Sequence, residues 1–440
     1  MTTPRRASAA ERYPLLFTPL RIGPVELAHR ACMSAHGMAL GGTGPGISEQ
    51  YHHYLLRRAQ GGAALVGIES APVHSSTFSR GLVIRLDRDD SIPSLERLAR
   101  DVHATGARVA ITLWHGGHQD GALRGPYAVA PSPIPAMDGS VPHELTVGEI
   151  REIVAAYGAA AARCRRAGID VLEVQTATSY LLGSFLSPAL NHRNDEYGGD
   201  RERRLRIVRE VLSAVRAAAG PQVAVGVRCS AWHAIPGASE DYTLEESLAA
   251  MQALDRDGLV DYVSVMAGSA WAEGVSIPAL HFPRAPLRTE GRRFKAALRC
   301  PVILAGRIRS AAEAEQLLAD GACDAIAMAR SWIAEPDWVR KVLDGDEHRV
   351  RPCLSCNQGC VAAVFRGLPG SCVLNPRAGR EWQYASPPAQ RGQYWAVIGG
   401  GPAGLEVARL AAEHGCRVTL YEATATLGGQ WRLAGTPTAR

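Results

Sequence analysis

Four cysteines, Cys353, Cys356, Cys360 and Cys372, fall within twenty residues, separated by two, three and eleven positions. Thiolates this closely spaced are ligands for zinc or for an iron–sulfur cluster, and the spacing lacks the paired Cys-x2-Cys knuckles common in zinc sites. The other six cysteines (Cys32, Cys164, Cys229, Cys300, Cys323 and Cys416) stand singly among apolar neighbours. That is the pattern of buried thiols in a reducing, cytoplasmic compartment, not of a disulfide framework. A second group of chemically capable residues closes a series of β-branched runs: Ser34-Ala35-His36, Trp114-His115, Arg228, Gly306-Arg307 and Ala329-Arg330, with Tyr180 just beyond another run. Glycine lets a backbone N–H approach an anion, and guanidinium grips phosphate in two places, so the Gly306-Arg307 and Ala329-Arg330 pairs point to a phosphate clamp. A third group is Gly399-x-Gly401-x-x-Gly404 with Glu422 eighteen residues beyond.

These residues need elements to hold them. Eight apolar runs alternate with helical segments: 31–35, 64–70, 108–115, 171–176, 223–230, 262–267, 301–307 and 324–330. One helical segment shows the stripe Ile150, Ile153, Val154, Tyr157 and Ala161, with Thr146 as its N-cap, and others are expected at 91–105, 201–219, 244–257, 311–320 and 335–343. Strands alternating with helices imply right-handed βαβ units and a parallel sheet, and eight such units close a (β/α)8 TIM barrel whose chemistry sits at the C-terminal strand ends. The stretch 20–27, with Gly23-Pro24 at its centre, predicts a hairpin that plugs the barrel bottom. The barrel is placed at 13–345, a cysteine segment at 346–381 and a Pro/Gln/Arg-rich linker at 382–393. The start of a Rossmann-like domain follows at 394–440, where the triple-glycine fingerprint sits between an apolar strand and a helix.

Composition narrows the partners. Of 440 residues, 46% are hydrophobic and 21% charged, with a net charge of +5. The positive charge is nearly all arginine, Lys295 and Lys341 being the two lysines, and it is interspersed with acids. No basic stripe suggests nucleic acid, and no run of about 18 apolar residues suggests a membrane partner. The first residues, MTTPRRASAAERYP, lack the apolar stretch of a secretory signal.

Several motifs together resemble a known family. They are Phe17-Thr-Pro-Leu-x-Ile-Gly, Phe185-Leu-Ser-Pro followed by Arg193-Asn-Asp-Glu-Tyr-Gly-Gly199, Ala327-Met-Ala-Arg330, and the four cysteines followed by Asn375-Pro376 and the Gly399 fingerprint. Over about residues 14–433 the chain resembles the FMN-containing old yellow enzyme superfamily, in its long branch with 2,4-dienoyl-CoA reductase and trimethylamine dehydrogenase. The resemblance implies that Ser34, Ala35 and His36 line FMN, that Thr112 stands where a glutamine often touches the flavin, and that Arg228 lies near N1 and O2. It implies phosphate contacts at Gly306, Arg307, Ala329 and Arg330, and a [4Fe–4S] cluster on Cys353, Cys356, Cys360 and Cys372. Tyr180 matches the proton donor of the dienoyl-CoA reductases; a phenol, with an ordinary pKa of about 10, stays protonated at neutral pH. His36 and His115 match family histidines at the flavin edge or in catalysis.

The chain also departs from the family pattern. Gln175 and Thr178 replace the histidine pair that grips a carbonyl in shorter ene-reductases, and the histidine that accompanies the tyrosine is missing near Trp271-Ala-Glu273. Gly37 stands where a cysteine would link the flavin covalently, so the FMN is expected to be non-covalent. The implied reaction is reduction of an activated C=C bond of a small molecule. The alternatives are dehydrogenation or demethylation of a secondary or tertiary amine, with electrons leaving through the cluster, and a non-catalytic subunit. Gly399, Gly401, Gly404 and Glu422 are expected to hold a dinucleotide, yet residues 423–440 cannot enclose an isoalloxazine. FAD is therefore not expected on this chain, and electrons are expected through a protein partner, with NAD(P)H as the ultimate donor.

Overall fold

The computed structural model describes residues 8–42, 44, 46–77, 84–119, 128–384 and 392–434, with only the backbone at residue 273. The chain forms two compact units, Met1–Glu381 and Trp382–Arg440. Most of the linker expected at 382–393 lies outside the described residues.

The first unit is a closed barrel of eight strands. We number them β1 (Ala31–Met33), β2 (Leu65–Pro72), β3 (Arg108–Trp114), β4 (Val171–Gln175), β5 (Ala224–Ser230), β6 (Tyr262–Met266), β7 (Val302–Ala305) and β8 (Ala325–Met328). Every neighbouring pair is parallel, and β8 closes onto β1 with Ile326 beside Ala31. The strands are almost wholly buried, β4 at every position, as a sheet covered on one face by helices and on the other by the packed bore requires. The helix Val147–Arg166 begins at a reciprocal capping box, in which the Thr146 hydroxyl accepts from the Glu149 N–H and the Glu149 carboxylate accepts from the Thr146 N–H. Its stripe packs inward through Ile150, Ile153, Tyr157 and Ala161.

The predicted hairpin forms, Leu20–Ile22 against Val25–Leu27, antiparallel about Gly23 at φ +52°. Leu20, Ile22, Val25 and Leu27 pack on Leu65, Val171, Ala224 and Tyr262, residues at or near the N-terminal ends of the strands, so the hairpin seals that end. Gly226 is required there: a Cβ would sit 2.1 Å from the Tyr262 ring. The missing side chain lets the Tyr262 phenol enter the bore.

The observed strands end earlier than the apolar runs do. Expected runs 301–307 and 324–330 stop at Ala305 and Met328, because the backbone then turns: Gly306 and Arg307 take φ of +122° and +49°, and Arg330 opens the short helix Arg330–Ala334. The helix expected from residue 335 starts at Trp338, since Glu335 precedes Pro336 and stays extended at φ −137° and ψ 97°. The helices Glu49–Gln60, capped by the Ser48 hydroxyl, and Arg288–Ala297 were not among the expected segments, and the first brings Tyr54 and Arg58 towards the site. Among the described residues no helix is long and apolar enough to cross a membrane.

The second unit pairs β9 (Tyr394–Ile398) with β10 (Arg417–Tyr421), parallel and with Tyr394 opposite Arg417, through the helix Pro402–Glu413. Gly404 allows the helix to meet the strand turn, because a Cβ there would lie 1.8 Å from the Gly399 carbonyl oxygen. Glu422, just past β10, accepts from the Gly400 N–H at 2.7 Å and from Thr424. Gly401 caps the helix, and a Cβ on it would meet nothing within 4 Å, so on that side the helix N-terminus is approachable by an anion.

Candidate active site at the C-terminal end of the barrel

A cavity of about 670 Å³ opens among the C-terminal strand ends, within the size range of cofactor and substrate sites. Ser34, Ala35, His36, Tyr180 and Arg228 line it, and so do Gly306, Arg307, Ala329 and Arg330. Cys353 and Cys360 reach the same wall. Thr112 and His115 do not line it. Thr112 sits one layer deeper, paired in register with Glu173, and its hydroxyl donates to Glu173 Oε1 at 3.2 Å. His115 follows the cavity-lining Trp114 just past the end of β3, and its ring is buried away from the cavity lining. Its Nδ1 accepts from the Gly117 N–H at 3.1 Å and its Nε2 meets Ser76 Oγ at 2.9 Å. Burial, with His74 stacked beside it, holds its pKa down to about 3. His115 is a neutral packing residue in this arrangement.

His36 lines the cavity with both ring nitrogens engaged. Nδ1 donates to the Ser34 carbonyl at 2.7 Å, and Nε2 accepts from the Tyr54 hydroxyl at 2.6 Å. Burial, with further downward pulls from Arg58 and Arg228, depresses its pKa to about 4, so the ring is neutral near pH 7. The Tyr54 ring carries the Arg58 guanidinium 3.6 Å from its centroid, and Arg58 pairs with the buried Glu381.

Arg228 is held from three sides. Its Nε lies 2.9 Å from Glu173 Oε1, while its terminal nitrogens donate to the Ala35 carbonyl at 3.2 Å and to Ser34 Oγ at 2.8 Å. Glu173 also accepts from the Tyr262 hydroxyl at 3.2 Å. The guanidinium is thus fixed at the cavity wall on a buried carboxylate that the sequence reading did not single out. Glu69, from β2, was missed as well. It lines the cavity, and burial, against a weaker downward pull from the Met38 N–H, pushes its pKa up to about 8.

Across the cavity, Tyr180 meets Trp114 edge to face at 5.2 Å. The turn before it is strained, with Thr178 and Ser179 at φ of +59° and +55°, a backbone cost typical of functional turns. It is pinned by a bond from the Thr178 N–H to Ser230 Oγ at 3.0 Å. Among the described residues Gln175 Oε1 and Thr178 Oγ1 are buried without a hydrogen-bond partner, and both residues line the cavity. Buried polar atoms left this way favour a polar ligand that completes them.

At the far end the cavity is cationic. Arg307, Arg309 and Arg330 line it, and among the described residues none of the three has a carboxylate within ion-pair distance. Burial and the neighbouring Arg284 lower the pKa of Arg309. Three guanidinium groups at one end of a cavity suit an anion such as a phosphate ester. Arg309 is a member that sequence reasoning missed, although it lies two residues past the expected Arg307.

All four clustered cysteines, with Arg330 and Asn357, line one small adjoining cavity. Cys353 Sγ accepts from the Ser355 N–H at 3.3 Å and Cys372 Sγ from the Leu374 N–H at 3.4 Å, the kind of bond that tunes iron–sulfur ligands. Cys360 sits in a single π-helical turn, Gln358–Ala362. Among the described residues no three His, Cys, Asp or Glu side chains converge as a single metal ion requires. All ten cysteines are free.

A closed parallel barrel with a cationic cavity end, a nearly buried arginine and a four-thiol segment beside it defines an enzyme-type site suited to a ligand that carries an anionic group. The chain belongs to the NADH:flavin oxidoreductase / NADH oxidase family, which it matches over residues 15–348. Residues 397–437 match the NAD(P)-binding Rossmann-like domain. The chain is 38% identical over 431 residues to a metal reductase of Desulforamulus reducens, covering 97% of this chain and 63% of the relative. It superposes on a 2-naphthoyl-CoA reductase bound to 2-naphthoyl-CoA with a TM-score of 0.89 at 29% identity, covering 96% of this chain and 66% of that one. Histamine dehydrogenase of Rhizobium sp. 4-9 superposes with a TM-score of 0.86 at 26% identity, covering 96% and 61%. The chain therefore spans just under two thirds of the length of these relatives.

Proposed function

We propose that the barrel cavity holds FMN non-covalently and that Cys353, Cys356, Cys360 and Cys372 hold a [4Fe–4S] cluster, in an enzyme that reduces an activated C=C bond of a small molecule. One observation carries the reading: Tyr180, Arg228 and three arginines that have no carboxylate partner among the described residues line a single cavity that the cysteine segment also reaches. When bound, FMN supplies hydride transfer and the cluster supplies single-electron transfer. Ser34, Ala35 and His36 form the wall along the flavin ring, and Arg228 stands where positive charge favours an anionic reduced ring. Gly306, Arg307, Ala329 and Arg330 take the phosphate, with Arg309 adding charge.

The thiols support a cluster because all four line one small cavity, at a spacing that lacks the paired Cys-x2-Cys knuckles common in zinc sites. Tyr180 Oη delivers the proton to substrate carbon, and Gln175 and Thr178 orient the substrate through their free polar atoms. His36, neutral and doubly bonded, positions the wall and does not move protons. A reducing, cytoplasmic setting suits ten free thiols, and NAD(P)H, by way of an electron-transfer protein or a reductase domain, completes the electron supply.

A second reading, oxidation of a methylated amine, is supported by the Trp114–Tyr180 aromatic corner, against which an alkylammonium can pack. The test is anaerobic mixing of the purified protein with an enone or with a methylated amine. Re-oxidation of reduced flavin by the enone supports the first reading, and bleaching of oxidised flavin by the amine supports the second. Silence with broad panels of both overturns the assignment.

A further inference from the structure

Two of the three arginines at the cationic end of the cavity, Arg307 and Arg330, are not held by the barrel alone. Arg307 Nε donates to Ser355 Oγ at 3.2 Å, and Arg330 donates to Asn357 Oδ1 at 2.7 Å. Ser355 and Asn357 flank Cys356, and both take left-handed backbone conformations, with φ of +56° and +57°. Ser355 is buried, and its own N–H bonds Cys353 Sγ at 3.3 Å. The Asn357 amide also donates to the Ile277 carbonyl at 2.9 Å, which fixes its oxygen toward Arg330. The remaining bonds of the two guanidinium groups go to the Leu280 and Pro278 carbonyls, each at 2.8 Å. Each arginine is therefore aimed by one carbonyl of the loop after β6 and by one side chain of the cysteine segment.

The left-handed turns explain why this arrangement belongs to the cysteine segment. A non-glycine residue holds such a backbone only where its surroundings over-determine it, and here Ser355 is held by its N–H bond to Cys353 Sγ and Asn357 by the hydrogen bond of its side-chain amide to the Ile277 carbonyl. A long arginine side chain has many rotamers, and its value to an anion depends on being held in one.

We propose that Ser355 and Asn357 are positioning residues that complete the phosphate subsite, so that the cysteine segment sets the preference for FMN over riboflavin. The proposal rests on the reading that Arg307 and Arg330 take the FMN phosphate. It predicts an effect confined to the phosphate, because neither side chain lies along the wall assigned to the ring.

The test uses the full chain, stripped of flavin under anaerobic conditions, with Kd measured for FMN and for riboflavin. Ser355→Gly and Asn357→Gly keep the left-handed backbone and remove the side chain. Each is expected to weaken FMN binding about tenfold, in line with losing a hydrogen bond that orients a charged group, with riboflavin binding and iron content unchanged. The double variant should approach equal affinity for the two flavins. Unchanged FMN affinity in both variants overturns the proposal. Equal losses for FMN and riboflavin also overturn it, since they mark a general structural role. If the unaltered chain binds neither flavin, the FMN reading itself fails; if it binds both equally, only the phosphate assignment fails.

Discussion

Glu173 Oε1 lies 2.9 Å from Arg228 Nε, both side chains nearly buried, with Arg228 in the cavity wall and Glu173 behind it. The pair links the barrel bottom to its chemistry, because Glu173 is also bonded by Tyr262, whose ring Gly226 admits into the bore. Removing one partner of such a pair leaves an uncompensated charge, a loss of about 3–5 kcal/mol in buried cases. Glu173→Gln should therefore lower stability to urea. It should also raise the reduction potential of bound flavin by about 30 mV or more, about 1.4 kcal/mol for a two-electron couple, because Arg228 then acts unopposed on the reduced ring. An unchanged or lower potential in a spectroelectrochemical titration would separate Arg228 from the flavin.

Tyr180→Phe removes one hydroxyl from a cavity wall while keeping the ring against Trp114. Flavin content should hold, and turnover of C=C substrates should fall by roughly 10²–10⁴, as for a lost general acid. Equal rates across several enones would make Tyr180 a packing residue.

Glu69 gives a pH signature of known sign. Its pKa is raised from 4.5 to about 8 by burial, so between those values the folded chain keeps a proton that the unfolded chain releases. Stability is then lost as pH rises through that window, by about 1.4 kcal/mol for each unit of displacement. Glu69→Gln removes this dependence. Its advantage over the unaltered chain should be largest near pH 8 and vanish toward pH 4.5 in denaturation midpoints; parallel profiles would show that Glu69 is ionised in the fold.

The eight runs and their order were legible because a parallel sheet covered on both sides must be continuously apolar, and because helices with caps such as Thr146 announce their starts. Orientation at the strand ends was not legible. Trp114 and His115 are adjacent, yet one lines the cavity and the other packs away from it. Thr112 and Glu173 face inward but lie one layer too deep. Buried carboxylates such as Glu69 and Glu173 read as ordinary strand residues, since nothing local marks the arginine or the dry wall they will meet. Arg309 carried a usable signal, being one of two arginines in the Gly306–Ser310 loop.

Gly226→Ala tests the packing beneath the site. A Cβ would stand 2.1 Å from the Tyr262 ring, so the ring must move and release Glu173. A stability loss of about 1–3 kcal/mol is expected from overpacking, together with weaker flavin retention. A fully stable variant with normal flavin content would show that the bore can absorb the methyl group.

The most direct measurement is the cofactor content of the full chain purified without oxygen. Acid-released flavin and metal analysis should give about one FMN and about four irons per chain, with broad cluster absorbance beneath the flavin bands. A chain free of flavin, or one carrying stoichiometric zinc and no iron, would contradict the account.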